Sequence, residues 1–173
     1  MYKSILVAVD DTELSKKAFA QALSLAKAFN ANLHLLHVLS PLQVEYQDTA
    51  SLTFSGAYYP DMVHEVVKER WDNLEQTGLD LLKSFCEQAT QQGVATEFTQ
   101  QIGQIDQAIV EFANDHNIDL LVVGSHGRKG LSEFFLGSVS NYVSHHVTCS
   151  VLLVHQEATS ETKTTEAEVS VNQ

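Results

Sequence analysis

The stretch Asp119-Leu120-Leu121-Val122-Val123-Gly124-Ser125-His126-Gly127-Arg128-Lys129-Gly130-Leu131-Ser132-Glu133-Phe134-Phe135-Leu136-Gly137-Ser138 runs from an unbroken apolar segment, through a glycine-rich loop, into the start of a helix. Consecutive rather than alternating apolar residues mean that both faces of the strand are buried, as in a parallel sheet. Half of the chain's eight glycines fall between positions 124 and 137. Beyond them Val139, Tyr142, Val143 and His146 recur at helical spacing. In an open α/β sheet, ligands sit beyond the carboxyl ends of the strands, where such a loop would lie.

Working outward, the same alternation repeats. Ile5 to Val9 is an apolar strand candidate ended by Asp10, and Asp11 or Thr12 can cap the next element. Ala18, Ala22, Leu25, Ala26 and Phe29 then mark a helix, widened by Phe19 and Leu23. Leu33 to Leu39 reads as a second strand. Asp61 is placed as the N-cap of a long helix through Val63, Val67, Trp71, Leu74, Leu81, Leu82, Phe85 and Ala89, stopped by Gly93. Gly78 weakens its middle by about 1 kcal/mol relative to alanine. Val94 to Thr99 is a short strand candidate. Ile105, Ala108, Ile109, Phe112 and Ala113 predict a helix that Asn117 can end, and Ser150 to Val154 predicts the last strand. Five strands alternating with four helices imply a parallel sheet with helices on both faces.

Two segments do not fit this alternation. Residues 41–60, bracketed by the only two prolines, Pro41 and Pro60, read as a variable insertion. Residues 156–173 hold four threonines, four glutamates and no aromatic residue, and are expected to form a disordered acidic tail. The expected organisation is therefore one domain over 1–155 followed by that tail.

Composition limits function. The chain has 173 residues, 44% hydrophobic and 18% charged, and 22 acidic against 10 basic residues give a net charge of −12. That balance argues against a general nucleic-acid or anionic-membrane surface, which needs a cationic patch. No apolar run approaches the ~20 residues of a membrane span, and Ile5–Val9 is too short for a secretory core. Cys86 and Cys149 are distant and form no CxxC pair, so a disulfide framework is not expected. The expected setting is cytoplasmic.

Several chemical motifs fail on inspection. His64-Glu65-Val66-Val67-Lys68 has lysine where HExxH needs its second histidine. His145 and His146 are adjacent on a helix and point apart. Ser125-His126 has no assignable acid partner for a catalytic triad. Neither GxxxxGK[ST] nor GxGxxG occurs. What survives is the glycine loop. Gly137, Ser138, Val139 and Ser140 sit at a helix start, where unpaired N–H groups and the dipole suit phosphate. The same glycines would also serve a loop that only connects strand to helix.

The spacing G-x2-G-x9-G-[ST], met by Gly124, Gly127, Gly137 and Ser138, resembles the ATP-binding signature of the universal stress protein family. The opening Ile5-Leu6-Val7-Ala8-Val9-Asp10, the Leu36-His37-Val38 strand end and the Val122–Arg128 turn resemble it too. The likeness covers about residues 2–155. Two departures lie in turns: Ser150 and Gln104-Ile105 stand where relatives often carry proline. The resemblance implies a Rossmann-like open parallel five-stranded sheet of order 3-2-1-4-5. It implies ATP, with or without Mg²⁺, at the switch point between strands 1 and 4. Asp10 would meet the ribose or adenine edge, Val38 would offer backbone groups to adenine, and Ala8 and Val123 would line the base pocket. Gly124, Gly127, Arg128, Gly137, Ser138 and Val139 would surround ribose and phosphates. It also implies a homodimer through the last strand, which is uniformly apolar and carries no lysine or proline to blunt an edge. The expected function is ATP-dependent regulation in a stress response. The alternatives are a slow ATPase, self-phosphorylating or adenylyl-transferring enzyme, and a nucleotide-free dimeric interaction module.

Overall fold

The computed structural model describes residues 1–41, 60–125 and 137–155. Both the 42–59 part of the expected insertion and the 156–173 tail lie outside the described residues, as do Gly127 and Arg128 of the glycine loop. The elements are β1 (Ser4–Ala8), α1 (Glu13–Phe29), β2 (Asn32–Leu39), α2 (Pro60–Gln91), β3 (Thr96–Ile102), α3 (Ile105–Asp115), β4 (Leu120–Ser125), α4 (Ser138–His146) and β5 (Ser150–His155). The five strands form one sheet of order β3-β2-β1-β4-β5, every pair parallel.

Each apolar strand splits its side chains between two cores. Ile5, Val7, Leu33, Leu35, Leu120 and Val122 pack with α1 and α2, where Phe19 and Phe85 stack at 4.3 Å. Leu6, Leu36, Val38, Leu121 and Val123 pack with Ile109 and Phe112 of α3 and Val143 of α4. Burial on both faces is why these strands read as unbroken apolar runs.

Element boundaries follow local chemistry. Thr12 is the N-cap of α1: its hydroxyl accepts from the Ser15 N–H at 3.1 Å. Asn30 and Asn117 take the left-handed conformation that ends α1 and follows α3, and Gly93 does so after α2. The carboxylate of Asp119 accepts from the Lys3 and Ser4 N–H groups at 2.7 and 3.0 Å, tying the start of β4 to that of β1. These two bonds stabilise the ionised form and hold its pKa below the usual carboxylate range.

Two boundaries differ from expectation. Helix α2 begins at Pro60, so Asp61 lies inside the first turn instead of capping it. Proline lacks an N–H and suits that position, where no intrahelical donor is needed. Strand β3 spans Thr96–Ile102, not Val94–Thr99. It is a sheet edge covered on one face by α2, so its polar residues Gln100 and Gln101 stay in the ladder, while Val94 bonds back to Ala89 as part of the α2 cap. No helix among the described residues is long and apolar enough to cross a membrane.

Candidate functional site

At the carboxyl ends of β1, β2 and β4 lies a cleft of about 180 Å³. This is the point where the strand order reverses: β1 leads to β2 on one side and pairs with β4 on the other. Six of the residues expected to serve a ligand line it together: Ala8, Asp10, Val38, Val123, Gly124 and Val139. Gly137 and Ser138 do not line it but lead directly into Val139. Gly127 and Arg128 lie outside the described residues.

The β1–α1 turn forms a polar rim. The Asp10 N–H donates to the Ser15 hydroxyl at 2.8 Å, and Thr12 donates to the Asp10 carboxylate through both its N–H, at 3.0 Å, and its hydroxyl. These bonds use one carboxylate oxygen, Oδ1, and orient the other side of the group. Across the cleft Ile105 and Ile109 of α3 join Val38 and Val123 in an apolar wall. An amphipathic heterocycle with polar substituents on one edge suits such a lining.

Helix α4 starts at a residue that has no side chain to cap it. Gly137 is the N-cap and supplies no side-chain bond to the first-turn N–H groups, which a helix start otherwise leaves unpaired. Its carbonyl accepts from the Asn141 N–H at 2.8 Å and the Ser140 hydroxyl at 3.0 Å. With φ of −57°, Gly137 has a backbone open to any residue.

Gly124 has a different reason to be glycine. A Cβ there would lie 2.8 Å from Cγ and 3.1 Å from Cδ2 of Leu14, itself buried in the first turn of α1. Close approach of α1 to the end of β4 thus requires it.

Sequence reasoning missed Leu14, Ser15, His37, Ile105 and Ile109 as lining residues. Each reads as an ordinary cap or core position along the chain. Only the crossovers bring them to one place. His37 is half-buried, and burial pushes its imidazole below the usual histidine range, against the opposing pull of Asp10 and Asp11. Among the described residues no group of three or more His, Cys, Asp or Glu could hold a metal ion.

The family described as universal stress protein family matches residues 1–155. The chain belongs to the universal stress protein family. It is 35% identical over 156 residues to universal stress protein Sll1388 of Synechocystis, covering 88% of this chain and 97% of that one. To universal stress protein YxiE of Bacillus subtilis it is 34% identical, covering 89% and 99%. Among solved structures it superimposes on MJ0577, a Methanocaldococcus jannaschii protein, with TM-score 0.71 at 23% identity, covering 91% and 99%. A universal stress protein in complex with cAMP gives 0.61 at 26%, covering 90% and 99%. The Arabidopsis thaliana family protein At3g01520, solved with AMP bound, gives 0.62 at 22%, covering 90% and 93%. The Rossmann-like parallel sheet is the fold shared with these structures.

Proposed function

We propose that this chain binds an adenine nucleotide, ATP foremost, in the cleft at the β1/β4 switch point and responds to it as a regulatory ligand. The observation that carries the reading is the joining, in one cleft, of an apolar wall, an oriented carboxylate and the approach to a helix N-terminus that starts at a glycine. Adenine fits against Val38, Val123 and Ile109, with Ala8 at the floor. Asp10 accepts from ribose hydroxyls through the oxygen that Thr12 does not occupy. The phosphates run toward Gly124, Gly127 and Arg128 and the Gly137-Ser138-Val139 turn. Related proteins solved with cAMP and with AMP support an adenine nucleotide as the ligand class. The described residues gather no metal set, so Mg²⁺ would be held chiefly by the phosphates.

Regulation is favoured over turnover because Asp10 is the one acid lining the described cleft and is already bonded to Thr12. Phosphoryl transfer needs charge-stabilising and nucleophile-positioning groups around the γ-phosphate. A cytoplasmic homodimer through β5 belongs to the same proposal. That strand is a sheet edge, and Val151, Leu152, Leu153 and Val154 are each only half-buried. Light scattering at micromolar concentration should give twice the chain mass, and a monomer mass refutes the dimer. For the ligand, protein purified without added nucleotide is denatured and the released small molecules are separated. Adenine nucleotide in stoichiometric amount supports the reading. No release, together with no uptake of added ATP, overturns it.

A further inference from the structure

His37 stands at the rim of the cleft in a seat built by three elements. The β2–β3 register places it opposite Gln100. Gly78 of α2 lies over both: a Cβ there would be 2.5 Å from Cε1 and Nδ1 of His37 and 2.8 Å from Nε2 of Gln100. The ring therefore occupies space that any other residue at 78 would fill. Gln100 is pinned by its Nε2, which donates to the Glu75 carbonyl at 3.2 Å. Yet Nδ1 of His37 and Oε1 of Gln100 are buried with no hydrogen-bond partner. An unmatched buried polar atom is costly and calls for a reason.

The charges around the ring are one-sided. The β1–α1 turn contributes Asp10 and Asp11. β3 contributes the neutral Gln100. α2 contributes the Gly78 backbone, with exposed Glu75 one turn earlier. A neutral imidazole tolerates this seat. An imidazolium carries two donors and the seat offers Nδ1 no acceptor. Its natural partner is the Asp10 carboxylate, whose Oδ1 already serves Thr12, so the ring would take the other oxygen.

We propose that His37 is a positioning residue that makes nucleotide binding proton-linked: neutral, it stays under Gly78 and leaves Asp10 to the ribose; protonated, it turns to Asp10 and competes with the ligand. This rests on the nucleotide reading above and adds its regulation. Burial already depresses the imidazole pKa, and a ribose on Asp10 engages the stronger of the two carboxylates that favour the charged form, so binding should depress it further. The linkage then runs in one direction. Affinity is full where the ring is neutral in free and bound protein, and falls as acid protonates the free form.

The test is ATP affinity of the full chain at about pH 7.5 and about pH 5.5, the range in which histidine titrates, for wild type and His37→Gln. Titration of the ATP phosphates is common to both proteins and cancels in their ratio. Wild type should lose about threefold more affinity in acid than the variant. Should His37→Gln fold poorly, the His37 ring proton signal of the wild type is titrated by NMR with and without ATP, and nucleotide should lower its midpoint. Parallel pH profiles, an affinity that rises in acid through His37, or a midpoint unmoved or raised by ATP overturns the proposal and leaves nucleotide binding standing. Absence of ATP binding by wild type near pH 7.5 overturns both together.

Discussion

The cleft has two ends held close by glycine, and they differ in kind. At β4, Gly124 lies against Leu14, an aliphatic side chain at the start of α1. At β2, Gly78 lies over the ring of His37 and the amide of Gln100. The first glycine brings a helix onto the end of a buried strand and shapes the apolar part of the cleft. The second makes room for a titratable group at the polar rim. The same absent Cβ thus serves packing at one end and electrostatics at the other, and only the neighbours tell them apart.

Replacing Gly124 by valine should have the largest effect. Its branched side chain would drive Leu14 into the cleft, because Leu14 is 4% exposed and has no other room. Overpacking of this sort costs about 1–3 kcal/mol of stability, and ATP binding should be lost. A variant that melts and binds like wild type would mean that α1 can retreat and that Gly124 is incidental.

Gly78→Ala sharpens the contrast with a smaller change. In an ordinary helix interior this substitution stabilises by about 1 kcal/mol. Here the added methyl would sit 2.5 Å from two ring atoms of His37. Displacing the ring should outweigh the propensity gain, leaving a net loss of about 1 kcal/mol by denaturant unfolding. A more stable variant would show that the ring turns aside without cost and that its seat does not require glycine at 78.

The contrast also explains what was legible in the sequence. Apolar runs located β1, β4 and β5 to within a residue or so because each sends apolar side chains to both faces of the sheet, buried in β1 and β4 and half-buried in β5. Gly124 was conspicuous through its spacing to Gly127 and Gly137. The strand order came from family likeness, and periodicity alone would have left it open. β3 was placed two residues early because an edge strand keeps polar residues that an apolar run excludes. Gly78 read as a helix weakness, since its reason lies on another element far along the chain. His37 read simply as part of the second strand. Ile105 and Ile109 looked like plain core of α3, and their second role as cleft wall depends on how α3 crosses the sheet. Residues that meet only through tertiary structure leave no local signature, while those that meet through spacing within one loop do.

An adenine nucleotide bound in this cleft would stabilise the folded chain. Thermal unfolding of the full chain with and without millimolar Mg-ATP tests it most directly. A ligand that binds only the folded state at about 100 times its Kd adds roughly 2.7 kcal/mol. The midpoint should therefore rise by several degrees, and the rise should saturate with concentration. A midpoint that does not move at any ATP concentration, with no nucleotide carried through purification, would contradict the account.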